Sequence, residues 1–204
     1  CAGNLCVNLR GGNGLKRLTE AGQKTAALAA IDTGFFRHLH AADLIDRATF
    51  EELAIFFASA RDWAAKYLIG QGYTSSKHLG IQGYSNGGLL TGASITEQPK
   101  LFGAAYIGHG VLDMLRYQKF SGGSFWVPEY GSADKQADFQ WLVKYSPLHN
   151  IKSGECYPPT LITTSWDDDR VVPSHEFKFT AKIQQAQGCD SPILLHTTGS
   201  TSHI

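Results

Sequence analysis

Ser85 sits at the centre of Gly83-Tyr84-Ser85-Asn86-Gly87, a G-x-S-x-G pentapeptide. A serine hydroxyl is a weak nucleophile. It attacks a carbonyl only when a base takes its proton and a third group orients that base. The pentapeptide serves this chemistry when it forms a sharp turn between a strand and a helix, with residues of minimal size two before and two after the serine. The flanks predict that setting. Leu79 and Ile81 alternate with less apolar neighbours ahead of the serine, while Leu89, Leu90 and Ile95 share a helical face behind it. The positive end of that helix would then face the hydroxyl.

A nucleophile on such a turn takes its acid and then its histidine from further along the chain. Pro159 to Ser165 is a run of β-formers that leads into Trp166-Asp167-Asp168-Asp169-Arg170, and acidic residues at a strand end stand where the acid belongs. Pro192 to Thr197 reads as the next strand, with His203 in the loop after it. Competing readings attach to each position. The three aspartates also suit a solvated turn, and one could cap the helix that begins near Ser174. His196 falls within a strand, where its ring is expected to pack. His175 falls in the first turn of a helix, and both remain alternatives to His203. His38, His40 and His149 lie in polar or loop segments.

The elements that must hold these groups fit one domain. A chain of 204 residues buries one sizeable core. Hydrophobic residues make up 43% and charged residues 18%, an ordinary balance for an α/β protein. Lys+Arg and Asp+Glu number 18 each, so the chain has no basic excess to attract nucleic acid or an anionic membrane. No apolar run reaches the roughly 20 residues that a membrane-spanning helix needs. Leu53, Phe56, Phe57, Ala60, Trp63, Ala64, Tyr67 and Leu68 recur at helical spacing and predict an amphipathic helix over Phe50 to Ile69. Thr25 to Ile31 reads as an alanine-rich helix. Gly11-Gly12-Asn13-Gly14 lacks the Gly-Lys-Ser/Thr ending of a phosphate loop and reads as a turn. The first residues, Cys1-Ala2-Gly3, are neither an initiator methionine nor a signal peptide, which predicts a piece of a longer chain.

Cys1, Cys6, Cys156 and Cys189 match no zinc-binding spacing. Cys156 and Cys189 each precede a predicted strand. If those strands are parallel neighbours, their starts lie together, which predicts a Cys156–Cys189 disulfide and with it a periplasmic or secreted location. Two unpaired thiols in a cytosolic chain are the alternative.

Several longer motifs carry a family resemblance. Ser85 to Leu90, Gly110-Val111-Leu112-Asp113-Met114-Leu115-Arg116, Glu129-Tyr130-Gly131, Lys144 to Asn150 and Asp168 to Pro173 resemble the prolyl oligopeptidase family, as does Asn8-Leu9-Arg10-Gly11-Gly12 upstream. The resemblance covers most of residues 58 to 196. It implies an α/β-hydrolase fold, with a mostly parallel sheet, helices on both faces and incomplete ends. A β-propeller is expected upstream. Residues 1–57 would be irregular, with a possible insertion, and 58–204 the catalytic core. The implied activity is serine endopeptidase cleavage of short peptides after proline, without metal or organic cofactor, by a monomer that binds no nucleic acid or membrane.

By position, the resemblance makes Ser85 the nucleophile, Asp168 the acid and His203 the base, with the Asn86 N–H as one oxyanion donor. Trp126 would lie against the substrate proline, Tyr130 and Val171 would wall its pocket, and Arg170 would bind a neighbouring carbonyl. The sequence departs from the family at two places. Thr201-Ser202-His203-Ile204 replaces an Ala-Gly-His-Gly-like turn, and Tyr84 stands where the family carries a small residue. The family's second oxyanion donor, a tyrosine hydroxyl, would lie upstream of Cys1. An esterase or acylaminoacyl-peptidase on the same fold is the nearest alternative. A non-catalytic relative is another, and its signature would be His203 more than about 6 Å from Ser85, beyond hydrogen-bond reach.

Overall fold

The computed structural model describes residues 6–8, 62, 64–199 and 203. The expected helix over Thr25 to Ile31, the turn at Gly11 to Gly14, His38, His40 and the first part of the Phe50 to Ile69 helix lie outside them. Residues 64–70 are helical, as the end of that pattern predicts.

Among the described residues, five strands form one all-parallel sheet in chain order: β1 (Cys6–Asn8), β2 (Gly80–Tyr84), β3 (Ala104–Gly108), β4 (Thr160–Ser165) and β5 (Ile193–Thr198). The register aligns Ile81 with Ala105, Thr160 and Ile193, and Gly83 with Ile107, Ile162 and Leu195. Successive residues of a strand face opposite sides, so these rows lie on one face. That face is buried. Ile81, Ile107, Ile162 and Ile193 join Leu79, Ile95, Phe179 and Ile183 in the main core cluster. Each such side chain contributes about 1.5–3 kcal/mol when fully buried.

Parallel neighbours need crossover connections, which are right-handed in nearly all proteins. Strands β2 to β5, laid down in sequential order, therefore send their crossovers to the same face. Helix α1 (Asn86–Glu97) follows β2, and α2 (Val127–Tyr130) and α3 (Gln136–Tyr145) lie between β3 and β4. Helix α4 (Ser174–Ala186) follows β4. Helix α1 packs on β2 and β3, and α4 on β4 and β5. The opposite face carries Leu161 beside Leu194, both exposed. Any helix on that second face must come from outside these crossovers.

A second cluster of Leu89, Val111, Met114, Tyr117, Leu142 and Val171 packs beside the sheet, with Trp126 and Tyr130 at its margin. Asp113, fully buried, joins the segment after β3 to α4. Its backbone N–H donates to His175 Nδ1 at 3.0 Å, and its carboxylate accepts a short hydrogen bond from Lys178. The predicted disulfide is present. Cys156 and Cys189 are joined with their Cα atoms 5.2 Å apart, just before the paired starts of β4 and β5.

Candidate active site

The residues at the carboxyl ends of β2, β3, β4 and β5 converge above one edge of the sheet, where open α/β folds bind ligands. Ser85 occupies the turn between β2 and α1 with φ 56° and ψ −117°. Such a backbone costs of order 1–3 kcal/mol for a residue with a side chain. The surrounding ladder holds it there. The Ser85 N–H donates to the Gly108 carbonyl at 2.8 Å, and the Ser85 carbonyl accepts from the N–H groups of Gly88 and Leu89. A Cβ at Gly83 would stand 1.9 Å from the Gly87 carbonyl oxygen. A Cβ at Gly88 would stand 2.6 Å from the Gly110 Cα, whereas one at Gly87 would meet nothing within 4 Å. Steric need therefore falls on Gly83 and Gly88, one residue later than the pentapeptide suggests.

His203 Nε2 lies 3.0 Å from Ser85 Oγ, and its Nδ1 lies 2.8 Å from Asp168 Oδ2. The separation beyond 6 Å expected of a non-catalytic relative is not found. Asp168 is buried, while Asp167 and Asp169 are exposed. Its other oxygen, Oδ1, accepts from the backbone N–H groups of Arg170 at 3.0 Å and Val171 at 2.8 Å. Burial opposes ionisation of this carboxyl. The hydrogen bonds from His109, His203 and the Val171 amide outweigh it and hold the pKa far below the usual carboxylate range. An ionised carboxylate only accepts, so the His203 Nδ1 carries the proton and Nε2 presents a lone pair to the Ser85 hydroxyl. That is the arrangement a general base requires.

The sequence reading missed His109. It follows β3 directly, has φ 46°, is buried, and places Nδ1 2.5 Å from the same Asp168 Oδ2. Its backbone N–H donates to the Thr163 carbonyl at 2.9 Å, which fixes it over β4. The usable signal was its position at a strand end, the criterion that singled out Asp168. Tyr84 packs against both imidazoles, with ring centroids 4.8 Å from His109 and 5.4 Å from His203.

The alternative histidines lie elsewhere. His196 is exposed on β5 rather than packed, because its place in the register puts it on the uncovered face with Leu194. His175 is buried and accepts from the Asp113 N–H, with burial pulling its pKa down to about 4. Helix α4 takes Pro173 as its N-cap, with no capping side chain, so none of the aspartates serves there.

Asn86 opens α1, where helix amides have no acceptor in their own helix, and its N–H belongs to the positive end of the dipole. Its side-chain Oδ1 accepts from the Tyr130 hydroxyl at 2.8 Å, which ties the end of α2 to the serine turn. Trp126 is half-buried and stacks on Tyr117 at a centroid distance of 6.4 Å. Arg170 is exposed, and among the described residues no salt bridge joins it to Asp167 or Asp169. Val171 has no exposed surface and packs into the second cluster, so here it supports the neighbouring residues from below.

A model of the prolyl oligopeptidase family matches residues 62–204. The chain belongs to that family. It is 49% identical to a prolyl endopeptidase from Elizabethkingia meningoseptica over 141 residues, covering 69% of this chain and 20% of that protein. Identity to a prolyl endopeptidase from Dictyostelium discoideum is 42%, over 69% of this chain and 19% of that protein. The solved structure of prolyl oligopeptidase B from Galerina marginata bound to a 35mer substrate, as an H698A mutant, superposes with a TM-score of 0.70 at 37% identity. It covers 74% of this chain and 22% of that one. The fold is that of the family's α/β-hydrolase catalytic domain. This chain spans about a fifth of the length of these relatives.

Proposed function

We propose that this chain is the catalytic core of a serine endopeptidase that cleaves short peptides after proline. The observation that carries this reading is the hydrogen-bonded series Ser85–His203–Asp168 in a member of the prolyl oligopeptidase family. His203 Nε2 takes the Ser85 proton as Oγ attacks the carbonyl carbon of the proline residue. Asp168 stabilises the resulting imidazolium. The Asn86 N–H donates to the oxyanion, a contact whose loss typically raises the barrier by about 3 kcal/mol. His203 then protonates the leaving amine, and water hydrolyses the acyl-enzyme by the same proton path in reverse.

In this reading Trp126 presents its indole face to the pyrrolidine ring and Tyr130 closes the pocket beside Asn86. Val171 backs that pocket, and the Arg170 fork takes a neighbouring substrate carbonyl. The working protein is a monomer whose catalytic domain packs on a propeller. The Cys156–Cys189 bridge supports a periplasmic or secreted location, since such bonds persist in oxidising compartments. Cleavage of Gly-Pro-anilide and Gly-Ala-anilide by the full-length protein, with Ser85→Ala as control, tests the assignment. Proline preference that Ser85→Ala abolishes supports it. Equal cleavage that still needs Ser85 would favour the esterase or acylaminoacyl-peptidase reading, and no turnover would favour a binding relative.

A further inference from the structure

His109 does more than add a neighbour to Asp168. His109, Asp168 and His203 each offer one ligand atom, and these atoms lie within 4.8 Å of one another. Both imidazoles aim Nδ1 at one oxygen, at 2.5 and 2.8 Å. Two imidazole nitrogens and a carboxylate oxygen form a ligand set that suits zinc and neighbouring transition metals, while calcium and magnesium prefer all-oxygen sites. From these contacts we infer that His109, Asp168 and His203 form an inhibitory site for Zn²⁺ or a similar divalent transition metal. The inhibitory part of this inference rests on the peptidase reading given above.

Zinc bonds to nitrogen and oxygen are about 2.0–2.2 Å long. Each nitrogen therefore has to draw back from Oδ2 by less than about 1 Å, and the two nitrogens, within 4.8 Å of each other, have to settle about 3.4 Å apart, to admit the ion in tetrahedral geometry. The side chains around them suit the adjustment. His203 reaches the cluster from a loop, and Tyr84 lies against both rings as an apolar wall. Asp168 supplies the negative charge, and its Oδ1 stays anchored by the Arg170 and Val171 amides while Oδ2 turns to the metal.

The inhibition follows from the tautomer. Bound at Nδ1, the metal moves each imidazole proton to Nε2, so no proton need leave the site. His203 Nε2 then carries a hydrogen and has no lone pair for the Ser85 proton. The metal would switch off the base from the far side of its ring, without touching the serine or the substrate pocket. His109 is the residue that makes this possible, because Asp168 and His203 alone supply only two ligands.

The test uses the full-length protein, stripped with a chelator, and reads metal binding directly by Zn²⁺ calorimetry and Co²⁺ visible absorption. One metal per chain is expected in the wild type and in Ser85→Ala, with a nitrogen- and oxygen-ligated cobalt spectrum. His109→Gln and, independently, His203→Gln are each expected to weaken binding at least about tenfold. His203→Gln lies in a half-buried loop position, which guards against a fold defect in the first variant. Wild-type peptide hydrolysis is expected to fall with Zn²⁺ occupancy and return with chelator, with Ca²⁺ and Mg²⁺ inert. Relative to its own zinc-free rate, His109→Gln is expected to need at least about tenfold more Zn²⁺ for the same inhibition.

No stoichiometric binding, a thiolate band in the cobalt spectrum, or unchanged affinity in both variants would overturn the site. Full occupancy without inhibition would overturn its inhibitory role. An absence of peptide cleavage even without zinc would sink the peptidase reading and the inhibition, and the binding measurements alone would then decide the site.

Discussion

His109 and His203 donate to the same oxygen of Asp168, from the ends of β3 and the loop beyond β5, at 2.5 and 2.8 Å. One carboxylate oxygen thus orients two imidazoles, while the other is held by the backbone of the turn that follows it. Asp168→Asn would keep the shape of the site and the Oδ1 contacts but face both Nδ1–H groups with an amide. The wrong His203 tautomer would result. We expect kcat to fall by about 10⁴, the scale seen when a triad acid is neutralised, with KM nearly unchanged. A loss below tenfold would show that Asp168 does not orient the base.

The elbow glycines separate by position. Gly83→Ala drives a methyl group into the Gly87 carbonyl, so about 1–3 kcal/mol of stability and most activity should be lost, as for an overpacked site. Gly87→Ala has open space in the first turn of α1 and should leave stability unchanged or raise it by about 0.5–1 kcal/mol. Denaturant midpoints of the two variants check the order. Equal losses would contradict it.

His175 gives a pH signature. Burial depresses its pKa from 6.5 to about 4. The unfolded chain therefore takes up a proton below pH 6.5 that the folded chain refuses until about pH 4. Its contribution to stability is whole above pH 6.5 and is lost as the pH falls toward 4. Tm measured across that window should decline less steeply in His175→Gln, whose amide oxygen can still accept from Asp113. An unchanged slope would assign the decline to other groups.

Glu176 has the opposite sign. Both its carboxyl oxygens are buried without a hydrogen bond of good geometry, and burial raises its pKa well above 4.5. Its contribution is present below the unfolded value and is lost as pH rises through the folded one. Glu176→Gln should therefore gain stability relative to wild type as pH rises from 4.5 to 8. A gap that does not widen with pH would show that Glu176 is ionised in the folded protein.

The Cys156–Cys189 bridge closes a 33-residue separation. Its removal by paired Cys→Ser substitution should cost about 3–4 kcal/mol on the chain-entropy account. Alkylation of the native, unreduced protein should find Cys156 and Cys189 unreactive. Four reactive thiols would show that the bridge does not form.

Much of this site was legible because strand ends are legible. Thr160 to Ser165 is β-branched and ends on acidic residues, so Asp168 and the strand announced each other. His203 followed from the next such run. His109 escaped notice because Ala104 to Gly108 is weakly patterned, and because its backbone is tied to the Thr163 carbonyl of β4, far from it in sequence. His196 misled for a related reason. Strand alternation says that it faces one side, but only the packing of α1 and α4 decides which side is covered. The burial of Val171 likewise depends on Met114, Tyr117 and Leu142, far from it in sequence.

The sequential strand order also acts as a ruler. Adjacent strands lie about 4.8 Å apart, so Ser85 after β2 and Asp168 after β4 hang from supports roughly two spacings, or ~10 Å, apart. Neither side chain can span that gap. An imidazole with a hydrogen bond at each end can, and His203 does so from a loop that folds back over the sheet rather than from the intervening strand. The intervening strand instead delivers His109, which reaches the acid but makes no hydrogen bond to the serine. The same spacing thus provides one imidazole that bridges and a second that only shares its anchor.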